Sequence, residues 1–396
     1  MRTRSMGLAL FSGLALLISA CSTSTTPSPS ASTVPASVPP STVSTPAPSG
    51  SAPASVPPST AASQWKVGVV TDVGTIDDKN FNQFSFEGAE KGATDIGAAA
   101  PPAIVPKDAS EYASDISQFI QQKYNIIVTV GFNLAAETTK AAKANPNVWF
   151  VGVDQSPICV DAAGALDTTG ACKGDAATLL PNYISLQFQE DQAGYLAGIV
   201  AASVSKTGKV GAIGGINLVP PVVRYIQGFE LGAKSVNANI TVKTAYVSAS
   251  DFVKAFNDPA TGKTFAKQFI TANKVDVLFQ VAGKTGNGIL DAACSAKIAG
   301  IGVDVDQYLS YPAADGCIVT SAEKHLSVAV EAAIKSIADN SAKAGNNLYN
   351  AANDGIGVSD FHGVTVPTDL QGKLDAAVAA MKAGTLKTCP DKCGTP

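Results

Sequence analysis

The stretch Trp65-Lys-Val-Gly-Val-Val-Thr71 is a short, mostly apolar run, and it leads into Asp72-Val-Gly-Thr-Ile-Asp-Asp-Lys-Asn-Phe-Asn-Gln83, a loop rich in aspartate, asparagine and glycine. An apolar run of this length is typical of a buried parallel strand. The amphipathic residues that follow, Gln83–Asp95, predict a helix. A strand, a polar loop and a helix in this order form the opening of a βαβ unit.

The same alternation recurs through most of the chain. Further strands are predicted at Ile126–Val130, Val148–Val153, Val210–Ile213, Val275–Val281, Ile298–Val303 and Ile318–Thr320. Helices are predicted between them at Ala113–Lys123, Ala135–Ala144, Asp191–Val204, Val222–Ser235 and Gly288–Ala296. This alternation indicates an α/β fold built from doubly wound parallel sheets.

Residues 157–180 carry two cysteines and interrupt the series, and a second series begins near Lys209. The folded part of the chain is long for one core and sufficient for two lobes. We therefore expect residues 64–190 to form mainly an N-terminal lobe and residues 191–323 mainly a C-terminal lobe. Residues 324–396 are expected to form a C-terminal segment with helices that return across the lobes.

The N-terminus has the layout of a secretory signal peptide, with Arg2 and Arg4 before the apolar run Leu8–Ile18. The run is too short to span a bilayer. Ile18-Ser-Ala-Cys21 is similar to a bacterial lipobox, which predicts that residues 1–21 carry the signal and that Cys21 becomes the lipidated first residue. A lipid on Cys21 would hold the protein on the extracytoplasmic side of the cell membrane. The alternative is a soluble secreted protein.

Residues 22–63 contain only Ser, Thr, Pro, Ala, Val and a glycine. Pro-Ala-Ser-Val-Pro-Pro-Ser-Thr occurs at 35–42 and again at 53–60. Such a segment cannot bury a core, and we expect a disordered linker that acts as a tether.

Charge and cysteine content narrow the function further. Loss of Arg2 and Arg4 leaves 26 basic and 32 acidic residues, a formal charge of −6, which argues against nucleic-acid binding. An even number of cysteines in an exported chain suggests three disulfides, and we favour the pairs nearest in sequence, Cys294 with Cys317 among them. The six cysteines after the leader are Cys159, Cys172, Cys294, Cys317, Cys389 and Cys393.

In doubly wound sheets the ligand lies at the carboxyl ends of the strands. The residues that follow the predicted strands are mainly carboxylates, amides and glycines, with one lysine, which suits a polyhydroxylated ligand. They are Asp72 with the loop to Asn82, Gly131-Phe132, Asp154-Gln155, Gly214-Gly215, Gly283–Gly288, Asp304–Gln307 and Ser321–Lys324.

The segment 70–88 closely resembles the opening motif of the basic membrane protein family, the purine-nucleoside-binding lipoproteins of bacterial ABC importers. Later blocks of the chain are similar to that family in the same order: Gln192-Ala-Gly-Tyr-Leu-Ala-Gly198, Gly228-Phe-Glu-Leu-Gly232, Phe256-Asn-Asp-Pro259, Ala282-Gly-Lys-Thr-Gly286 and Ile301-Gly-Val-Asp-Val-Asp-Gln307. The resemblance implies a type I periplasmic-binding-protein-like fold with two lobes. It also implies a monomer that closes on a nucleoside and docks on an ABC permease.

The resemblance also implies roles for individual residues. Asp72 and Phe81 would line the site, and Phe81 would stack on the base. Phe256 would be the second stacking aromatic, although Phe252 is a rival because residues 248–254 are extra here. Asn80 stands where the family commonly has serine, and Asn82 belongs to the same motif.

Asp154 would recognise the base edge, and Gly283, Asp304 and Lys324 would hold the ribose. The residue chemistry agrees, because a carboxylate accepts two hydrogen bonds from vicinal hydroxyls. Lys324 could then neutralise Asp304 and bond a ribose oxygen. The sequence does not choose among adenosine, guanosine and inosine, nor does it identify the permease.

Other functions are less well supported. Gly283-Lys-Thr285 looks like the end of a P-loop, but Leu278 stands where that loop needs glycine. With His325 and His362 as the two histidines, we expect no zinc site, and no cofactor is implied. A nucleoside hydrolase also opens with a strand and an Asp-rich loop, but Val70 replaces the first calcium ligand. We therefore predict a binder and not an enzyme; a sugar receptor of the ribose type is the alternative.

Overall fold

The computed structural model describes residues 64–157, 176–362 and 364–396. The predicted signal peptide, the linker, Cys21, Cys159 and Cys172 lie outside the described residues.

The strands in the described residues are β1 (Val67–Thr71), β2 (Ala103–Ile104), β3 (Ile126–Val130), β4 (Trp149–Val153), β5 (Tyr183–Phe188), β6 (Lys209–Gly214), β7 (Thr241–Tyr246), β8 (Val277–Val281), β9 (Ala299–Asp304), β10 (Ile318–Lys324), β11 (Gly345–Tyr349) and β12 (Ile356–Val358). Continuous apolar runs such as Val67–Val70 and Ile126–Val130 are buried on both faces, as expected for strands covered by helices on two sides.

The α-helices in the described residues are α1 (Phe81–Asp95), α2 (Tyr112–Gln121), α3 (Ala135–Ala144), α4 (Ala176–Leu179), α5 (Glu190–Val204), α6 (Pro220–Val236), α7 (Phe252–Phe256), α8 (Pro259–Asn273), α9 (Gly283–Ser295), α10 (Gln307–Ser310), α11 (Leu326–Ala338) and α12 (Leu370–Lys382). None of the helices in this part of the chain is long and apolar enough to cross a membrane.

The strands form two six-stranded sheets that define two lobes. The first sheet has the order β11-β5-β4-β3-β1-β2, and the second has the order β12-β10-β9-β8-β6-β7. Neighbouring strands are parallel except β10 and β12, which are antiparallel. The α/β class with two doubly wound lobes, predicted from the alternating pattern, is confirmed.

The chain passes between the lobes three times. It crosses after β5, where α5 packs on the second sheet, and returns after β10, where α11 packs against α1 and the first sheet. The third crossing joins β11 to β12 through residues 350–355. Backbone hydrogen bonds tie the crossings together, because Gln189 donates to Tyr349 O (2.9 Å) and His325 donates to Gly355 O (3.1 Å).

Glycines allow α5 and α6 to pack with their backbones in contact. A Cβ on Gly194 would lie 2.2 Å from Tyr225 O, and a Cβ on Gly228 would lie 2.0 Å from Asp191 O. Gly198 and Gly232 stand one turn further along their helices, with the same consequence. This close approach brings the first turn of α5 beside the first turns of α6, where several site residues lie.

Two disulfides lie in the described residues. Cys294, late in α9, is bonded to Cys317, which directly precedes β10. Cys389 is bonded to Cys393 in the C-terminal loop. These are the pairs nearest in sequence, as the sequence predicts for the second lobe and the C-terminus.

Candidate ligand-binding site

A cleft of about 660 Å³, including its open mouth, lies at the carboxyl ends of the strands of both sheets. Both lobes supply its walls. The lining residues are Asp72, Val73, Asp78, Phe81, Asn82, Gly131, Phe132, Asn133, Asp154, Val219, Pro221, Val222, Tyr225, Phe256, Val281, Ala282, Gly283, Asp304 and Lys324.

Asp72 directly follows β1 and presents its carboxyl group to the cleft. The backbone N–H groups of Val73 and Asn133 donate to its two oxygens, at 2.6 and 3.1 Å. Gly131 leaves the space for this carboxyl group, since a Cβ there would lie 2.1–2.3 Å from it. Burial raises the pKa of Asp72 to about 7, and the nearby Asp154 adds to the rise. Near neutral pH Asp72 is therefore present both as a carboxylate, which accepts hydrogen bonds, and as a protonated carboxyl group, which can donate one.

Asp78 organises the loop that carries the predicted stacking residue. Its carboxylate accepts hydrogen bonds from the backbone N–H groups of Asn80, Asn82 and Gln83, at 2.9–3.0 Å. These bonds cap the N-terminus of α1, whose first residue is Phe81. Phe81 is thereby fixed at the edge of the cleft.

The two asparagines of this motif differ in position. Asn82 lines the cleft, and its side chain donates to Val73 O at 2.9 Å. Asn80, which the sequence placed among the ligand contacts, is buried outside the cleft lining. Its backbone N–H is held by Asp78, and both polar atoms of its side chain lack a hydrogen-bond partner among the described residues. The structure therefore gives Asn80 a place within the fold and not on the cleft wall.

The structure separates the two candidates for the second aromatic. Phe256, the last residue of α7, lines the cleft together with Gly283. Phe252 lies 6.3 Å away between ring centroids and lines a wider opening at the mouth of the cleft, beside the exposed Val253. Gly283 begins α9, so the residues expected as a glycine-rich loop are the first turns of a helix.

Lys324, the last residue of β10, lies in a group of carboxylates. Its Nζ is 2.5 Å from Asp154 Oδ2, 3.1 Å from Glu190 Oε1 and 3.9 Å from Asp304 Oδ1. The sequence paired Lys324 with Asp304, but its nearest carboxylate is Asp154. Burial would lower the pKa of Lys324, but the three carboxylates together raise it above its usual value, so the lysine stays charged.

Asp154 and Asp304 share an unusual backbone conformation. Their φ angles are 57° and 65°, in the left-handed region that residues other than glycine seldom adopt. Such strain is concentrated at functional sites. Oδ1 of Asp154 is buried and has no hydrogen-bond partner among the described residues, so its capacity to accept a hydrogen bond is unused.

Burial is the main cause that raises the pKa of both carboxyl groups, and Lys324 opposes the rise. For Asp304 the pKa reaches about 7. The hydroxyl of Tyr225 donates to Asp304 Oδ1 at 3.2 Å. The cleft thus holds carboxyl groups that titrate in the neutral range beside one permanent cation.

Several site residues were not found in the sequence. Tyr225, Val219 and Val222 come from α6 and the turn before it, where they match an ordinary amphipathic pattern. Glu190 opens α5 and is fully buried. The sequence signal that could have identified Glu190 is a charged residue at the start of a mostly apolar helix. A charge on such a helix is rarely buried unless it has a partner.

Two doubly wound lobes around a cleft are the architecture of the type I periplasmic-binding-protein-like fold. A solved structure of ABC transporter system solute-binding proteins from Aeropyrum pernix K1 superposes with a TM-score of 0.67, 23% identity and coverage of 83% of this chain and 94% of that one. At this identity the likeness concerns the fold alone.

Sequence comparison then gives the family. Residues 65–375 match the model described as ABC transporter substrate-binding protein PnrA-like, so the chain belongs to this family. The ABC transporter nucleoside-binding protein BmpA of Lactococcus lactis is 30% identical over 309 residues, covering 74% of this chain and 80% of that protein. The CD4+ T-cell-stimulating antigen of Listeria monocytogenes is 28% identical over 350 residues, covering 84% and 90%. The resemblance to the basic membrane proteins seen in the sequence is confirmed.

Proposed function

We propose that this protein binds a purine nucleoside in the cleft and delivers it to an ABC importer. The observation that carries the proposal is one aromatic ring from each lobe, Phe81 and Phe256, in the same cleft as Asp154, whose buried Oδ1 has no hydrogen-bond partner among the described residues. Aromatic faces suit a planar base, and carboxylates suit the donors of a base edge and a ribose. The name of the Lactococcus lactis relative, a nucleoside-binding protein, supports the same ligand class.

The charges of the cleft favour a neutral ligand. Four of the described lining residues are aspartates, Asp72, Asp78, Asp154 and Asp304, and Lys324 is the one lysine or arginine among them. Lys324 is already surrounded by carboxylates. A phosphate would therefore meet like charges in a site with little water, so we propose a nucleoside and not a nucleotide.

Calorimetry of the mature protein without its lipid tests the proposal. We expect binding of adenosine, guanosine or inosine, and much weaker binding of cytidine, ribose and the matching nucleoside 5′-monophosphates. Ribose bound as tightly as any nucleoside would instead indicate a sugar receptor. Release of free base and ribose during the titration would indicate an enzyme.

We also propose that Cys21 carries a lipid that holds the protein on the extracytoplasmic face of the cell membrane. The lipobox-like Ile18-Ser-Ala-Cys21 supports this, as does the name of a relative from Pyrococcus abyssi, an uncharacterized lipoprotein. Cys21→Ala expressed in the native host should leave the lipoprotein membrane fraction. Wild-type amounts of Cys21→Ala in that fraction would contradict the assignment.

A further inference from the structure

Glu190 contacts the cationic part of the site without lining the cleft. It is fully buried, and its two oxygens face two cations: Oε2 is 2.5 Å from Arg224 Nε, and Oε1 is 3.1 Å from Lys324 Nζ without hydrogen-bond geometry. Glu190 and Arg224 lie on the wall of a second, smaller cavity that shares Asp154 with the cleft. Glu190 is therefore separated from a ligand in the cleft by the residues that would hold it.

The ion pair between Glu190 and Lys324 lies where the chain crosses between the lobes. Glu190 is the first residue after the first crossing between the lobes, and Lys324 is the last residue before the second. Their ion pair joins two of the three crossing segments directly. Any movement of the lobes about these segments has to preserve or break it.

A buried lysine needs carboxylate partners, and the cleft offers them unequally. Asp154 and Asp304 line the cleft, so a bound ligand competes for their oxygens. Glu190 is not exposed to the ligand and can serve as a permanent counter-charge. Burial alone would raise the pKa of Glu190, but Lys324 and Arg224 together hold it below its usual value, so Glu190 stays ionised.

We propose that Glu190 is a positioning residue of the binding site: it holds Lys324 on the floor of the cleft and, balanced by Arg224, sets the charge that Asp154 and Asp304 present to the ligand. The proposal rests on the proposed function for the choice of ligand probe, and a ligand-free measurement separates the two.

The charged and titratable groups around Glu190 fix the sign of the expected effects. They are Lys324, Arg224, Asp154, Asp304, Asp191 and Tyr225. Burial raises the pKa of Asp154 and of Asp304 and Lys324 lowers it, and the negative charge of Glu190 adds to the rise, more for Asp154 than for Asp304, where Asp154 contributes more than Glu190 does. Arg224 lowers the pKa of Asp154. Removing the charge of Glu190 should therefore make these carboxyl groups more acidic, and removing Arg224 should make Asp154 less acidic.

The experiment measures the affinity for inosine, adenosine and guanosine from pH 5 to 9 in the mature protein and in three variants. If ligand donors bind ionised carboxylates, Glu190→Gln should move the midpoint of the affinity–pH curve down by about one pH unit. Arg224→Gln should move it up. Glu190→Gln should also weaken binding about tenfold at pH 8, because Lys324 loses a partner. Glu230→Gln, which removes a charge on the exposed side of α6, is the control and should change neither quantity.

A purely structural role would lower stability and affinity in both variants without moving the midpoint in opposite directions. An unchanged midpoint in Glu190→Gln, or a shift of the same sign in Arg224→Gln, would overturn the proposal. If Glu190→Gln does not fold, the sign of the shift in the half-buried Arg224→Gln still decides.

Carboxyl NMR titration of the ligand-free protein gives a readout independent of nucleosides. Asp154 and Asp304 should titrate at lower pH in Glu190→Gln than in the wild type. If no nucleoside binds the wild type but these titrations shift as expected, the ligand assignment is wrong and the positioning role stands. If nucleosides bind but these titrations do not shift, the ligand assignment stands and the positioning role is wrong.

Discussion

The two lobes have the same strand order but contribute different chemistry to the cleft. The strands β4 and β9 occupy equivalent positions in the two sheets, and each leads to an aspartate in the left-handed conformation. Asp154 directly follows β4, and Asp304 is the last residue of β9. On the neighbouring strands, the registers Val153–Leu186 and Val303–Ala322 make Phe188 the counterpart of Lys324. The first lobe thus has a buried phenyl ring where the second has a buried ammonium group.

This difference means that the main ion pair of the site crosses between the lobes. Lys324 comes from the second sheet, and its nearest carboxylate, Asp154, comes from the first. The ring of Phe188 packs beside the same ammonium group, 5.4 Å from Nζ to the centroid. The two lobes therefore share a strand order but differ in electrostatics, and the difference lies beside the crossing segments.

The largest effect is expected when this asymmetry is removed. Lys324→Met gives the second lobe an apolar residue like that of the first and leaves Asp154, Glu190 and Asp304 buried without the ammonium group. Removing one partner of a buried ion pair costs about 3–5 kcal/mol of unfolding free energy. Nucleoside affinity should fall more than a hundredfold.

The stability loss should depend on pH with a defined sign. Burial already raises the folded-state pKa of Asp154 and Asp304, and loss of Lys324 should raise both further and raise that of Glu190 as well. Groups whose pKa is raised by folding lose stability as pH rises, so the loss should be smaller at acidic pH. Denaturant unfolding at pH 5 and pH 8 should show the smaller loss at pH 5. A loss that is equal at both pH values would show that packing and not charge is responsible.

The next largest effect concerns the aromatic ring that each lobe supplies. Phe81→Ala and Phe256→Ala should each weaken purine nucleoside binding about ten- to a hundredfold, because stacking and apolar burial are lost together. Phe252→Ala, a neighbour on the same helix as Phe256, should change affinity less than threefold. Calorimetry of the three variants compares them directly. Equal losses for Phe252 and Phe256 would show that the mouth of the cleft also holds the base.

The carboxyl groups of the two lobes should titrate together in the neutral range. The pKa values of Asp72, in the first lobe, and Asp304, in the second, are both raised to about 7, mainly by burial. Because base and ribose donors bind carboxylates, affinity should rise as pH increases from 5.5 to 8, by about tenfold. Asp72→Asn and Asp304→Asn should each flatten part of this profile. A profile that stays unchanged in both variants would assign the pH dependence to other groups.

Most of the central strands of the two sheets could be predicted from the sequence, but the strands at the sheet edges could not. Strands such as β3 are continuous apolar runs because helices cover both faces. The edge strands β7 (Thr241–Tyr246) and β11 (Gly345–Tyr349) have half-exposed, polar sequences that carry no such signal. The strand β5 was missed because Ser185 and Gln187 interrupt its apolar residues.

The residues of the candidate site also divide into those that could be predicted from the sequence and those that could not. Asp72, Asp154 and Asp304 could be found because each directly follows a predicted strand. Lys324 lies four residues beyond the predicted strand Ile318–Thr320, and the family resemblance singled it out. Glu190 and Tyr225 come from helices, where the sequence shows only a periodic pattern and not which residue reaches the cleft. The ion pair between Lys324 and Asp154 depends on how the two lobes pack together, which no local sequence pattern predicts.

The smallest effect is expected at a contact between the lobes on the surface. Nζ of Lys284, on α9 of the second lobe, lies 3.0 Å from Thr75 Oγ1 and 3.5 Å from Asp77 Oδ1 in the loop after β1. Asp77 is 73% exposed, and exposed ion pairs contribute only about 0–1 kcal/mol. Since this contact forms only when the lobes approach each other, Lys284→Ala should weaken nucleoside binding about two- to fivefold.

Most of this loss should appear as faster dissociation, because the contact holds the closed form and does not touch the ligand. Lys263→Ala is the matched control, since Lys263 pairs with Asp291 within the second lobe at 3.1 Å. Stopped-flow dissociation rates at low and high salt separate the two cases. The effect of Lys284→Ala should shrink at 1 M salt, where exposed charges are screened. Identical dissociation rates for Lys284→Ala, Lys263→Ala and the wild type would show that the lobes close without help from this contact, and that the charges at the crossing segments are sufficient.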